Sequence, residues 1–453
     1  MEIVMSEHFD VAVLGMGPGG EVAAGRLLNA GKKVAVIERE LIGGECAYWA
    51  CIPSKTVLRP AEAHTEVQRA AGVSGAELDW SEASKYRDYM IRNLDDSAQV
   101  DGYARHGAVV IKGEARITGP GRIKVDDREL TAEHIIIATG SEPVIPDLEG
   151  LDQITAWTNR ETYTTKTLPN SAVIIGGSAV GIETGTFLSS FGVKVTLIHR
   201  GARLLEREEQ RVGELARTYL AEAGIDIRLS ATAHKAHRAG DNSVIELDDG
   251  TEVAADVVIF ATGRTPRTQD LGFEQAGVSL GDRGQVHVDE YCRAAENVWA
   301  IGDVTGIMPF THVAKYQGRI AADAILGGAR EAFYEGIPRV VFADPEIAAV
   351  GITQTQADQQ GLPTAATEID LANAITRPWT YEQDPRGHLG LLVDTERKVL
   401  IGAWAIAPQA GEWIHQASLA IRAQIPIDTL LDQVAQYPTY NEAYLAALEK
   451  LQR

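Results

Sequence analysis

At 453 residues the chain has room for about three domains. Its 45% apolar content excludes a disordered chain, and a formal charge of −21 argues against nucleic-acid backbones and anionic lipid as partners. Three cysteines are too few for a disulfide-stapled secreted scaffold. Met1–Asp10 lacks the basic-then-apolar order of a signal peptide, and no apolar run reaches about 18 residues. The expectation is a cytoplasmic protein with no membrane and no nucleic-acid partner.

The first predicted elements are an apolar strand at Val11–Leu14, a glycine turn, a helix, and a second strand at Val34–Ile37. Shifted by 161 positions, the chain repeats this pattern without gaps. Gly15, Gly20, Leu27, Gly31, Lys33, Val34, Ile37 and Arg39 fall on Gly176, Gly181, Leu188, Gly192, Lys194, Val195, Ile198 and Arg200. The repeated unit is a βαβ motif.

In the first copy the turn reads Gly15-Met-Gly17-Pro-Gly-Gly20. Gly15 permits a tight turn, Gly17 a close backbone approach to a pyrophosphate, and Gly20 close packing of helix on strand. Glu38 ends the second strand, where a carboxylate can accept hydrogen bonds from a ribose diol. In the second copy Ser178 stands at the middle glycine position and His199 at the position of Glu38. Without that carboxylate a 2′-phosphate is not repelled, and Arg200 and Arg203 are placed to pair with it. NADPH is therefore favoured over NADH at this second turn.

Between the two copies, Gly43-Gly-Glu-Cys46-Ala-Tyr-Trp-Ala-Cys51-Ile-Pro-Ser-Lys55 carries two cysteines. A helix is expected from Cys51 to about Ala70, with a thiolate favoured at its N-terminus and by Lys55. Tyr48 and Trp49 either shape an apolar substrate pocket or pack in the core. Ile135-Ile-Ile-Ala-Thr-Gly140 is echoed by Val257-Val-Ile-Phe-Ala-Thr-Gly263, each a strand ending where a ligand crevice can open. His234 and His237 have ligand-like spacing, but their stretch reads as a basic loop, and no metal site is expected. Cys292 reads as an inert thiol. Val298-Trp-Ala-Ile-Gly302-Asp303 is a third such strand, its acid placed to bind a polyol. Toward the C-terminus, Leu389–Val393 and Val399–Ile406 read as strands before an apolar-striped helix over Gly411–Ala423.

With Cys46 to Lys55 as its most specific element, the chain resembles the pyridine nucleotide-disulfide oxidoreductases over essentially its whole length. The resemblance implies an α/β fold with two Rossmann-like domains, for FAD and NAD(P), and a C-terminal α+β dimerisation domain. The implied boundaries are 1–150 and 271–335 for FAD, 151–270 for NAD(P), and 336–453, from Ile337 onward, for the interface of a homodimer. By resemblance, Cys51 faces the flavin and Cys46 exchanges with substrate. Lys55 and Glu183 look like an ion pair beside the flavin, and Asp303 like the ligand of its ribityl chain. Cofactor contacts are expected at Gly15, Gly17, Gly20, Glu38, Gly44, Lys55, Gly140, Gly302, Asp303, Gly176, Gly181, His199, Arg200, Arg203 and Gly263.

One departure stands out. The disulfide reductases of this family carry His-Pro, with Glu five residues after the histidine, and that histidine acts across the dimer as base. Here the segment reads Gln436-Tyr437-Pro438-Thr-Tyr440-Asn-Glu442. Phenols ordinarily titrate near 10 and accept protons poorly at neutrality. Slow dithiol–disulfide turnover is expected, with Tyr437 donating rather than accepting.

The chain has no C-terminal cysteine pair and no extra N-terminal metal-binding domain, which argues against a mercuric reductase. It also has no C-terminal redox extension, which argues against a large thioredoxin reductase. The leading expectation is an FAD-dependent NAD(P)H oxidoreductase passing electrons through Cys46–Cys51 to a disulfide or other small molecule. Alternatives are a quinone-type reductase that bypasses the disulfide, a dithiol-using reductive lyase or carboxylase, and a non-enzymatic docking subunit.

Overall fold

A computed structural model of the chain describes residues 7–452. The leader expectation at Met1–Asp10 therefore falls largely outside the described residues. Two compact units are present, one of residues 7–53, 85–144 and 263–333, the other of residues 54–84, 145–262 and 334–452.

In the first unit the strand Glu7–Leu14 lies between Val34–Glu38 and Arg128–Ile137, all parallel. Val109–Lys112 and Val298–Ala300 extend this sheet at either side. Every residue of Val34–Glu38 is buried, as expected for a strand covered on both faces. The helices Pro18–Asn29 and Thr311–Ile325 pack together, with Gly19 and Gly318 letting their backbones approach.

The second unit holds a parallel five-stranded sheet in the order Asp226–Leu229, Lys194–His199, Ser171–Ile175, Val257–Phe260, Ala156–Trp157. Its C-terminal part is an antiparallel sheet ordered Arg339–Val341, Ile347–Gly351, Val399–Ile406, His388–Asp394, Thr364–Asp370. All eight residues of Val399–Ile406 are buried, consistent with its central place. The α/β class is as expected, with two parallel sheets of dinucleotide-binding type and a C-terminal α+β element.

The internal repeat is a structural repeat as well. Leu14 pairs with Ile37 in one sheet, and Ile175 with Ile198 in the other. The N–H of Gly15 donates to Ile37 O at 2.9 Å, and that of Gly176 to Ile198 O at 2.9 Å.

Two readings are corrected. The helix expected over Gly411–Ala423 is two segments, Ala410–Trp413 and His415–Arg422, joined at Ile414; the apolar stripe runs through both and hides the joint. His234 and His237 lie in the strand Ala233–Ala239, not a loop, hydrogen-bonded to Asn242–Leu247. An edge strand shows little alternation when most of both its faces meets water. Of the two alternatives left open for Tyr48, the structure shows core packing: the side chain is fully buried, and its hydroxyl donates to Ile42 O at 3.1 Å.

Candidate functional site

Each repeat presents a helix start at its turn. Gly15 (φ +100°) and Gly176 (φ +126°) have no room for a Cβ, which would strike the carbonyl oxygen of Ala138 or Ala261. Those two residues open the Ala-Thr-Gly echoes, so each echo braces the turn of its own unit. The N–H of Ala138 donates to Leu14 O, and that of Ala261 to Ile175 O, both at 2.8 Å.

No side chain caps the helix Pro18–Asn29 or the helix Ala179–Ser190 at its N-terminus. Space opens beside Gly17, with no atom within 4 Å of where its Cβ would lie. Uncapped amides and open space at a helix start suit the pyrophosphate of a dinucleotide. Gly44 (φ +61°) packs onto this turn so closely that a Cβ on it would lie 2.9 Å from Gly17 Cα.

The residue ending each second strand reaches back to its turn. Glu38 is buried, and its Oε2 accepts the N–H of Met16 at 2.8 Å. At the matching position of the second unit, His199 Nδ1 accepts the N–H of Gly177 at 3.2 Å. Accepting at Nδ1 places the proton of a neutral ring on Nε2. Burial, the largest cause, lowers the pKa of His199 and favours that neutral form. His199 Nε2 stands 3.8 Å from Glu206 Oε2.

Arg203 is committed elsewhere. Its Nη1 donates to the carbonyls of Leu205, Glu208 and Glu209 at 3.3, 3.0 and 3.4 Å, and its Nη2 to Glu206 O at 2.6 Å. Leu205 N–H in turn donates to Gly177 O at 3.0 Å, tying this loop to the turn. Arg200 is exposed beside it.

Also in the first unit, Cys46 and Cys51 are thiols with no disulfide between them, both half-buried. Cys46 lies in the short helix Gly44–Tyr48, and Cys51 opens the helix Cys51–Arg69. Thr311 Oγ1 donates to Cys46 Sγ at 3.2 Å and lies 3.2 Å from Cys51 Sγ. The hydrogen bond to Cys51, then burial, holds the Cys46 thiol well above its ordinary range. Asp303, in the turn Gly302–Thr305, accepts a hydrogen bond from Ser141 Oγ at 2.6 Å. Cys292 is buried in the core.

In the second unit, Lys55 Nζ lies 2.6 Å from Glu183 Oε2 and 4.7 Å from the centre of the Phe342 ring. Glu183 Oε1 also accepts the N–H of Phe342 at 3.1 Å. Tyr437 is 64% exposed. Glu442 opens the helix Glu442–Leu451, and its Oε2 accepts the N–H of Thr439 at 3.0 Å.

Residues 9–318 match the family described as pyridine nucleotide-disulphide oxidoreductase, and residues 337–448 match its dimerisation domain. The chain belongs to the pyridine nucleotide-disulphide oxidoreductases. Dihydrolipoyl dehydrogenase of Bacillus subtilis (strain 168) is 32% identical, over 97% of this chain and 96% of its own. Mercuric reductase of Staphylococcus aureus is 31% identical, over 97% of this chain and 82% of its own. Among solved structures, the HOCl-induced flavoprotein disulfide reductase RclA of Escherichia coli, as its Cu(II) complex, superposes with a TM-score of 0.87. It shares 27% identity and covers 99% of this chain and 100% of its own. LpdA of Mycobacterium tuberculosis gives 0.86 at 27% identity, over 98% and 99%.

Members of the family use FAD and NAD(P)H, and the activity here is FAD-dependent, NAD(P)H-linked disulfide oxidoreduction. The dimerisation domain makes the chain a homodimer. Among the described residues no helix is long and apolar enough to cross a membrane, and no group of three or more His, Cys, Asp or Glu could hold a metal ion.

Two residues with no signal in the sequence reading emerge from the geometry. Thr311 is one. The other is Glu346, whose pKa is raised to about 7, first by burial, with Glu62, Glu412 and Glu183 adding repulsion. Its Oε2 accepts the N–H of Gly411 at 2.6 Å.

A carboxyl that binds its proton more tightly folded than unfolded stabilises the fold at low pH. That contribution is complete below about 4.5 and lost as pH rises through about 7. Glu346→Gln is therefore expected to flatten the fall in stability between pH 5 and 8, gaining about 1 to 3 kcal/mol at pH 8. Urea titrations of the holoenzyme at the two pH values check this; an unchanged slope would remove Glu346 as its source.

Proposed function

We propose that the protein is an NADPH-dependent reductase that delivers electrons through Cys46 and Cys51 to a small disulfide or other dithiol-reducible substrate. The observation that carries this reading is the pair of half-buried thiols meeting on one hydroxyl, Thr311 Oγ1 lying 3.2 Å from each sulfur. FAD supplies two-electron transfer between the nicotinamide and the thiols. Residues 1–150 and 271–335 would hold it, the turn at Gly15, Gly17 and Gly20 taking the pyrophosphate, Glu38 the ribose and Asp303 the ribityl chain. Residues 151–270 would hold the nicotinamide cofactor at Gly176, Gly181 and Gly263. Residues 336–453 would form the interface, with Tyr437 and Glu442 acting across it.

The preference for NADPH rests on Arg200 and on the neutral His199, since Arg203 is held by backbone carbonyls. Arg203→Ala is expected to cost roughly 2 to 3 kcal/mol of stability, because it strips a charged donor from several carbonyls. Arg200→Ala should leave stability within about 0.5 kcal/mol and raise KM for NADPH but not for NADH. Urea unfolding together with steady-state kinetics on both cofactors separates the two. Equal stability loss in both variants would overturn the assignment.

The test of the function is an anaerobic titration of the oxidised holoenzyme with one equivalent of NADPH, followed in the visible spectrum. A long-wavelength thiolate–flavin band is expected. Bleaching of the flavin without that band would sink the dithiol route. It would favour a second reading, in which a quinone or a Cu(II) ion takes electrons without the thiols. Tyr437 in place of a base speaks for that second reading, as does the copper complex formed by RclA.

A further inference from the structure

The thiol pair lacks its expected base, since Tyr437 stands where family disulfide reductases carry histidine. Some other group must take the Cys46 proton before that sulfur can attack a substrate disulfide, because the thiolate is the nucleophile. Thr311 Oγ1 lies 3.2 Å from each sulfur. A hydroxyl is both a donor and an acceptor, so one oxygen can bond both thiols at once.

Thr311 is also held firmly. It opens the helix Thr311–Ile325, and as a β-branched residue it has few χ1 choices. One turn and a half along, Gln317 is fully buried, and its Oε1 accepts the N–H of Gly302 at 2.7 Å. Val313 is fully buried as well.

We propose that Thr311 relays a proton between the two thiols, turning the Cys51 thiolate into the base that activates Cys46. Thr311 Oγ1 first turns its O–H from Cys46, to which it donates at rest, toward Cys51, the two sulfurs being equally distant at 3.2 Å; Cys46 Sγ then gives its proton to Oγ1 while Oγ1 gives its own to Cys51 Sγ. The hydroxyl is regenerated, one proton has moved from Cys46 to Cys51, and the negative charge has moved the other way. No oxidant or reductant is consumed in this step. It readies Cys46 to attack a disulfide without a histidine. Lys315, whose charge acts to lower the Cys46 pKa, lies one turn along the same helix and favours the charged product. The inference rests on the dithiol reading given above.

The test uses flavin-loaded Thr311→Val and Thr311→Ser beside the wild type. Each protein is reduced anaerobically with NADPH, and alkylation of Cys46 and Cys51 by iodoacetamide is timed by mass spectrometry. Valine keeps the shape and lacks the hydroxyl; serine keeps the hydroxyl. The valine variant should alkylate Cys46 and reduce a disulfide about 10- to 100-fold more slowly, within the range of proton-transfer help. It should retain the thiolate–flavin band, and serine should restore the rates.

A valine variant as fast as wild type, or a serine variant as slow as valine, would overturn the relay. A wild type without the band would overturn the dithiol reading and the relay with it. A band in the wild type with an indifferent valine variant would remove the relay alone.

Discussion

Cys46→Ser is expected to abolish disulfide turnover while NADPH continues to reduce the holoenzyme. Cys46 is the half-buried thiol read as the one that exchanges with substrate, and a serine hydroxyl in its place cannot form a mixed disulfide. Loss of a nucleophile on which every turnover depends lowers the rate by roughly a thousand-fold or more. The same variant leaves Cys51 without a disulfide partner. On the dithiol reading proposed above, its thiolate would then lie within reach of the flavin in the oxidised protein, and the long-wavelength band should be present before any NADPH is added. Stopped-flow spectra and a disulfide-reduction assay on one preparation read both effects. Disulfide turnover at the wild-type rate would show that electrons leave by another route. Loss of disulfide turnover with quinone reduction intact would show that the flavin serves a bypass acceptor as well.

What the sequence made legible was the local and repeated part of this site. The offset of 161 residues aligns the strands, and the structure repeats their register and the bond from the first glycine of each turn. It also aligns two bonds that no motif advertises. Met16 N–H meets Glu38, and Gly177 N–H meets His199, one through a carboxylate and the other through an imidazole. The echo Ala138-Thr-Gly140 and Ala261-Thr-Gly263 was readable as two strand ends, but its bracing of Gly15 and Gly176 depends on packing between strands distant in sequence.

Thr311 was out of reach for the same reason. It lies 265 residues from Cys46, in a helix start with no special composition, and only the fold brings the two together. Arg203 marks a limit of the sequence, which gives the sign of a charge and not its partners. Four carbonyls within six residues of it take the guanidinium that seemed available for a phosphate. Glu346 follows the same logic, since its raised pKa comes from burial and from carboxylates far along the chain.

Tyr437→His is expected to raise disulfide turnover by roughly a hundred-fold, the lower end of the help a positioned general base gives. Within its own chain Tyr437 is 64% exposed, so no side chain of that chain crowds an imidazole there. Glu442 already stands at the start of the last helix, its Oε2 fixed by the N–H of Thr439 at 3.0 Å. Its remaining lone pairs can orient an imidazole and stabilise its charged form. Histidine ordinarily titrates near 6.5, so it accepts a proton at pH 8 where a phenol does not. The gain should therefore be small at pH 5 and grow through the titration of the new side chain, because only the neutral ring is a base.

Tyr437→His combined with Glu442→Gln should lose most of the increase. The same substitution should make Thr311→Val much less harmful, since Cys46 then has a second proton acceptor; such non-additivity is the mark of two groups sharing one task. Rates with a disulfide substrate across pH 5 to 8, for the four variants and the wild type, decide it. An unchanged rate in Tyr437→His, with the thiolate–flavin band intact, would mean that proton removal from Cys46 does not limit turnover. Tyr437 would then act on the substrate itself, as a donor to an acceptor that leaves with a proton.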